Sequence, residues 1–377
     1  MNAGQAQLDW PYKPQLPHDM GMGVAIVGAG GIVRSAHLPA YRLAGFNVVG
    51  VYDADRARAE ELARDFGVPK VYGSLEELAA DPDARIADIA VPAAAQPGIV
   101  RRLAPAGLHL LCQKPLAESY AAALDIVRAC REAGIKAASN QQMRWAPGIQ
   151  ASRTAVARGW IGEPYQGAIQ VHVLTPWELW GWLAEMETLE VMYHSIHYLD
   201  AIRYVLGKKP VGVYADGARF PGQKGVRGET RTTIQLIFEG DVRGLVYDNH
   251  NAVTEQDDWF ATFRFDGTEG VVKGTNGALY DYPRGREDTA ALYSRLLDPH
   301  GWHAPELEGR WFPHAFIGPM GELMRAIEED REPENSVEDN LVTMQTVFAA
   351  YRSMKERRVV MLSEIADGAG PGENGQD

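Results

Sequence analysis

The stretch that most constrains this chain runs from Val24 to Arg34: Val-Ala-Ile-Val-Gly-Ala-Gly-Gly-Ile-Val-Arg. Four apolar residues lead straight into Gly28, Gly30 and Gly31, and apolar residues then recur at helical spacing (Ile32, Val33, Ala36). A short continuous apolar run ending in glycines predicts a buried parallel strand that meets a tight turn. Such a turn lets the backbone approach a pyrophosphate, which a Cβ on Gly28 or Gly30 would obstruct. The helix that follows points free N–H groups and its positive dipole end at the same place. The third glycine of the dinucleotide fingerprint is replaced by Val33.

A second feature strengthens the reading. Val48–Tyr52 predicts the next strand, and Asp53 follows it, 25 residues after Gly28. An acid about 20 residues on is the group that binds the adenosine ribose diol. A dinucleotide is therefore expected on Gly28, Gly30, Gly31, Ile32, Val33 and Asp53. NAD is favoured because the carboxylate repels a 2′-phosphate, and NADP stays possible because Arg56 lies close by.

Downstream the pattern alternates strand and helix. Helices are predicted over Arg56–Phe66, Leu75–Ala80, Pro97–Ala104 and Ala117–Ala133, with strands over Val68–Tyr72, Ile86–Val91, His109–Cys112 and Lys136–Ser139. This alternation with short links implies an α/β doubly wound parallel sheet, with its ligand crevice past the carboxyl ends of the strands. Val91, Pro92, Gln113 and Lys114 fall there. After Arg144-Trp-Ala-Pro147 the texture changes. A helix over Ile149–Arg158 precedes strands over Ala168–Leu174, Val211–Phe220, Thr230–Phe238, Val242–His250, Trp259–Phe265 and Gly270–Lys273. Glu239-Gly240-Asp241 and Asp266-Gly267 are hairpin turn signals, so this second part predicts an α+β domain on an open, largely antiparallel sheet. A helix over Leu189–Leu206 is inserted between its first two strands, and Pro319–Glu329 and Val337–Lys355 predict two late helices. The expected organisation is an extended proline-rich arm (1–21), a dinucleotide domain (22–145), a substrate and oligomerisation domain (146–363) and a disordered Gly- and acid-rich tail (364–377). The arm is either loose or laid over a neighbouring subunit with Trp10 as anchor.

At 377 residues the chain exceeds a comfortable single core. Its net charge of −13 offers no basic block to release counterions from nucleic acid. Two cysteines, Cys112 and Cys130, suggest a reducing compartment without a disulfide framework. With no 18-residue apolar run and no signal-peptide pattern, a cytoplasmic enzyme that does not bind membranes is the simplest expectation.

Three groups of residues carry possible chemistry. Lys114 stands just past a strand's carboxyl end, beside the expected nicotinamide, where a cation meets a developing alkoxide; a surface lysine is the plainer alternative. Glu190, Tyr193, His194 and His197 share one helical stripe beside an apolar seam. Histidines there suit a general base and its partner, or a structural role for His194. Three metal ligands on one helix face rarely converge, so no metal is expected. Trp177, Trp180 and Trp182, with His172 and Glu178, suit stacking on a sugar, or equally a core or an interface.

Taken together these motifs resemble the glucose–fructose oxidoreductase / inositol dehydrogenase / MocA family of sugar dehydrogenases. The resemblance spans residues 22–362. Its marks are Val27-Gly-Ala-Gly-Gly-Ile-Val-Arg-Ser-Ala-His37-Leu-Pro39, Cys112-Gln-Lys114-Pro115-Leu-Ala117, Arg144-Trp-Ala-Pro147 and His197-Tyr-Leu-Asp200-Ala-Ile-Arg203-Tyr-Val-Leu-Gly207. It implies an NAD(P)-dependent oxidoreductase acting on a hydroxyl of a sugar, sugar acid or cyclitol, assembled as a homodimer or homotetramer. It also implies that Lys114 contacts substrate and nicotinamide ribose and that His197 is the base. Arg144, Trp145, His172, Trp177, Tyr193 and His194 join the expected substrate site, and Gln96 and Gln113 the cofactor site. Three positions depart from the family: Gln113 stands where it has Glu, Tyr193 where it has Asp, and Gln96 where His is common. A redox-neutral reaction through a transient ketosugar, or a non-enzymatic sugar sensor, would use the same site.

Overall fold

The computed structural model describes residues 8–223, 225–280, 282 and 284–365; of the tail expected to be disordered (364–377), Glu364 ends a short helical turn and Ile365 is buried, and 366–377 lie outside the described residues. Among these residues the strands form two sheets. The first contains β1 (Val24–Val27), β2 (Val48–Tyr52), β3 (Ile86–Ile89), β4 (His109–Cys112) and β5 (Ala137–Ser139). All its pairs are parallel, in the order β2-β1-β3-β4-β5. Its apolar residues split by the two-residue period of a strand. Ala25, Val27, Ala87, Ile89, Leu110 and Cys112 join the large core, while Val24, Ile86, Leu111 and Ala138 face the opposite side. That opposite face is covered from far along the chain. Phe316, Met320, Leu323 and Met324, on and just before the helix Ile317–Glu328, pack onto it. A parallel sheet needs cover on both faces, and here the helical segments after β1, through Ala36, Ala40 and Tyr41, share the task with this late helix.

The predicted strand Val68–Tyr72 is reduced to a bridge between Val51 and Val71. Pro69 has no N–H to give a ladder, and the Tyr72 ring lies over Gly50 instead.

The second sheet contains β6 (Pro164–His172), β7 (Pro210–Ala218), β8 (Arg231–Phe238), β9 (Arg243–Asn249), β10 (Phe260–Gly267), β11 (Gly270–Thr275), β12 (Thr289–Ser294), β13 (Asp298–His303) and β14 (Val360–Met361). Their order is β13-β12-β11-β10-β6-β9-β8-β7-β14. β12, β13 and β14 were not expected; β13 (Asp-Pro-His-Gly-Trp-His) is a polar edge strand with no alternation to read. One pair, β6 with β9, is parallel, because the chain crosses over through the helix Ile196–Leu206 before returning to the sheet. The helices Pro147–Ala157, Ile196–Leu206 and Val337–Glu356 contribute to the core under this sheet. The other face carries exposed Tyr214, Tyr247 and Trp302.

Residues 8–21 form no helix or strand, but Trp10 is buried against its own chain, edge-on to Trp160, and its indole N–H donates to the Ala151 carbonyl. The anchor is therefore intramolecular. Cys112 and Cys130 are both buried and free, and no described helix is long and apolar enough to cross a membrane.

Candidate active site

The glycine turn is built around one strained position. Gly28 has φ +110°, and an added Cβ would lie 2.5 Å from the Ala90 carbonyl oxygen and 3.2 Å from Val91 Cγ1. Gly30 and Gly31 look instead into open space, with nothing within 4 Å of an added Cβ. The Asp53 carboxylate ties the turn to the end of β2, accepting from the Ala29 N–H at 2.7 Å and the Asp55 N–H at 2.8 Å. An open cradle in front of a helix start, with an acid at its rim, fits a dinucleotide's pyrophosphate and ribose. Val33 does not face this cradle. Its side chain is buried among Ile26, Leu38, Val51 and Leu62, and the helix opens there with a π-helical segment, Val33–His37. Ile32 also packs against apolar neighbours, and Arg56 pairs with Glu60 at 2.8 Å. Pro92 starts the short turn after β3.

The loop after β4 holds Lys114 from beneath. Gln96 is fully buried, and its amide donates to the carbonyls of Gln113 (2.7 Å) and Pro115 (2.9 Å). It anchors the loop from within the core rather than lining the crevice. Gln113 is buried too. Its side-chain Oε1 accepts from the Lys114 N–H at 2.8 Å, and its side-chain nitrogen lies 3.1 Å from His37 Nε2. His37 meets the Asp88 carboxylate through Nδ1 at 2.6 Å. A carboxylate only accepts, so His37 donates from Nδ1 and its Nε2 accepts from Gln113. The departure at Gln113 fits this tautomer: a carboxylate there would face a nitrogen lone pair, whereas the amide can donate, as can that of Asn140, 3.2 Å from the same nitrogen.

Lys114 Nζ, half-buried, donates to the Tyr193 backbone carbonyl at 2.7 Å. This contact joins the parallel-sheet part of the chain to the second part. Among the described residues no carboxylate pairs with the lysine, and burial lowers its pKa to about 7.

Tyr193 lies on an unexpected element. The predicted helix Leu189–Leu206 is divided into a π-helical segment, Glu190–Ser195, and an α-helix, Ile196–Leu206. Glu229 caps the start, its carboxylate accepting from the Leu189 and Val191 N–H groups and from Tyr351 Oη. Asp248, reached from β9, holds Ser195 Oγ at 2.6 Å. The wider turn redistributes the expected stripe. Tyr193 packs edge-on to Trp182, and burial raises its phenol to about 12. His194 and Glu190 pair at 3.1 Å, with the Trp177 ring 5.8 Å from His194. His197 is buried edge-on to Trp311, 4.9 Å away, and its Nδ1 has no hydrogen bond among the described residues. Burial, then the charges of Lys114, His194 and His250, hold its pKa well below the ordinary histidine value. His197 is therefore a neutral imidazole.

Two expected substrate residues are structural. Arg144 is buried in ion pairs with Asp200 (2.7 Å) and Asp339 (2.6 Å) that also take in Arg203. Removing one member of such a network leaves an uncompensated charge, at a cost of about 3–5 kcal/mol. Trp145 is buried under Gly318, where a Cβ would lie 1.9 Å from its ring. His172 ends β6 stacked on Phe260. The reading of the sequence overlooked His250, whose Nδ1 lies 2.7 Å from Glu190 Oε1. A signal was present: Gly244, Val246, Asp248 and His250 share the buried phase of β9 and its continuation, and two of them are ionisable.

Residues 22–141 match the GFO/IDH/MocA oxidoreductase family, NAD-binding Rossmann fold, and residues 149–278 match the GFO/IDH/MocA C-terminal domain. The chain is 28% identical over 346 residues to D-apiose dehydrogenase of Paraburkholderia graminis, covering 90% of each protein. It is 30% identical over 257 residues to 1,5-anhydro-D-fructose reductase of Ensifer adhaerens, covering 67% of this chain and 75% of that one. An oxidoreductase from Agrobacterium radiobacter, solved in complex with NAD+, L-tartaric acid and magnesium, shares the fold with a TM-score of 0.79. Its sequence identity is 24%, over 92% of this chain and 100% of that one. The chain belongs to the GFO/IDH/MocA oxidoreductase family.

Proposed function

We propose that Lys114 and His197 are the catalytic pair of an NAD(P)-dependent oxidoreductase acting on a sugar CH–OH group. The observation that carries this reading is the 2.7 Å contact from Lys114 Nζ to the Tyr193 carbonyl. It brings a cation at the dinucleotide crevice beside a helix that carries a buried, neutral imidazole. NAD, when bound, supplies the hydride acceptor for oxidation, and its reduced form the donor for the reverse reaction. In the oxidising direction His197 accepts the proton of the substrate hydroxyl. Lys114 stabilises the alkoxide oxygen in a water-poor cleft, where a fixed charge is worth more than in water. Gln96 and Gln113 set the loop that carries the lysine. Trp177, and Trp182 through Tyr193, supply aromatic surface beside the pair, suited to the C–H faces of a sugar. A panel of aldoses, aldonates and inositols, followed by the absorbance of reduced nicotinamide, tests the activity; tight NAD binding with no turnover of any member would overturn it.

Gly28, Gly30, Gly31 and Asp53 hold the adenosine and pyrophosphate end. Asp53 has oxygen lone pairs beyond those used by Ala29 and Asp55, and it repels a 2′-phosphate. Asp53→Ala is therefore expected to shift the ratio of kcat/KM towards NADP, and an unchanged ratio would refute the assignment.

The division into a dinucleotide part (22–145) and a substrate part (146–363) is supported by the change from a parallel to a largely antiparallel sheet. The uncovered face of the second sheet, with Tyr214, Tyr247 and Trp302 exposed, suits isologous pairing into a homodimer or homotetramer. Sedimentation is expected to show no monomer at micromolar concentration.

A further inference from the structure

Beside the catalytic pair lies a second cluster with chemistry of its own. Glu190 opens the π-helical segment, His194 stands one turn later, and His250 arrives from the end of β9. The Glu190 carboxylate takes one imidazole on each oxygen: His250 Nδ1 lies 2.7 Å from Oε1 and His194 Nδ1 3.1 Å from Oε2. All three ligand-competent atoms lie within 4.8 Å of one another. Glu190 and His250 are buried, and His194 is the half-buried member at the open edge.

Hydrogen bonding alone accounts poorly for this convergence. Glu190 Oε1 and His250 Nδ1 sit 2.7 Å apart as an ion pair, yet among the described residues neither atom has a well-directed hydrogen bond. A buried ion pair repays its desolvation only where its hydrogen-bond geometry is good. A shared cation removes that cost by taking a lone pair from each. The far nitrogen of His250 is already placed for it: Nε2 lies 3.0 Å from Tyr198 Oη. If Nδ1 binds a metal, Nε2 carries the proton and donates to that hydroxyl, the outer partner that fixes a ligating histidine's tautomer.

We propose that Glu190, His194 and His250 form a three-ligand site for a divalent transition ion of the zinc class, with the fourth position open towards the substrate cleft. Two imidazole nitrogens and one carboxylate are the donor set of open zinc sites, whereas magnesium and calcium take oxygen ligands. Bonds of about 2.0–2.1 Å hold tetrahedral ligand atoms roughly 3.3 Å apart, so small side-chain rotations admit the ion. The open position lies on the side of His194, next to the Tyr193 carbonyl that holds Lys114, where a substrate oxygen or water completes the shell. One helix face offered too few ligands in the sequence; the third comes from a strand more than fifty residues on.

The site stands apart from the roles of Lys114 and His197, so its test reads the metal itself. Untagged full-length protein is stripped with chelator, dialysed and titrated with zinc by calorimetry, and bound metal is counted after desalting. One zinc per chain is expected, with His194→Ala and Glu190→Gln weakening binding about 100-fold or more. His194 is at the open edge, so its alanine variant keeps the fold and decides the question should Glu190→Gln fail to fold. A wild-type chain that retains no stoichiometric zinc overturns the proposal. So does a folded His194→Ala variant that binds zinc as tightly as wild type.

Discussion

Replacing His197 by alanine is expected to lower kcat by about 10²–10⁴, the usual worth of a positioned base. Burial, with Lys114 close by, keeps this imidazole neutral, which is the form that accepts a proton. Part of the loss should return at high pH, where solvent hydroxide substitutes for the missing group. NAD affinity should change little, because the glycine turn and Asp53 hold the distant half of the cofactor. Tyr193→Phe separates the competing assignment. Burial holds its phenol at about 12 and its ring packs on Trp182, so near-wild-type rates are expected, an outcome that would make the tyrosine a packing replacement for the family's Asp. If Tyr193→Phe loses as much as His197→Ala, the phenol belongs to the proton path. Most of the activity surviving in His197→Ala would move the base to Tyr193 or His194.

Lys114→Met is expected to lower kcat by about 10²–10³, the loss that follows removal of one fixed donor from a developing oxyanion. The pH profile identifies what the lysine does. Its ammonium is charged below about 7 and neutral above, with the Tyr193 carbonyl, His194 and His197 facing it. If Lys114 works as a cation, kcat/KM for oxidation falls as pH rises through about 7, and this descending limb disappears in Lys114→Met. An ascending limb near 7 that the same substitution removes would make Lys114 the base. Stability supplies a second readout. The folded lysine titrates near 7 and the unfolded one near 10.5, so between these values the unfolded chain holds the extra proton. The stability of the cofactor-free protein should therefore rise with pH across that window, and Lys114→Met should flatten the rise. Urea unfolding at several pH values measures it.

Much of this molecule is local and therefore legible from its residues. The strand Val24–Val27, the glycines, Asp53 after Val48–Tyr52 and the helix Arg56–Phe66 all depend on neighbours a few positions away. Asp55 caps that helix and Gly67 closes it, so even its ends are written locally. The same holds for Lys114 at the carboxyl end of β4. What the sequence could not decide is which buried polar groups meet. Arg144 and Trp145 sit in a motif shared with the family, but their partners (Asp200, Asp339, Gly318) are distant in sequence, and those partners make them structural. Gln96 and Gln113 passed for crevice residues because their hydrogen bonds to loop carbonyls and to His37 exist only once the sheet has formed. The stripe Glu190, Tyr193, His194, His197 assumed an ideal helix. A π-helical segment held by Glu229 and Asp248 changed its register and brought Glu190 to His250. Periodicity and turn chemistry are short-range and survive in the sequence as pattern. Burial of a charge beside its partner is long-range, and only tertiary packing determines it.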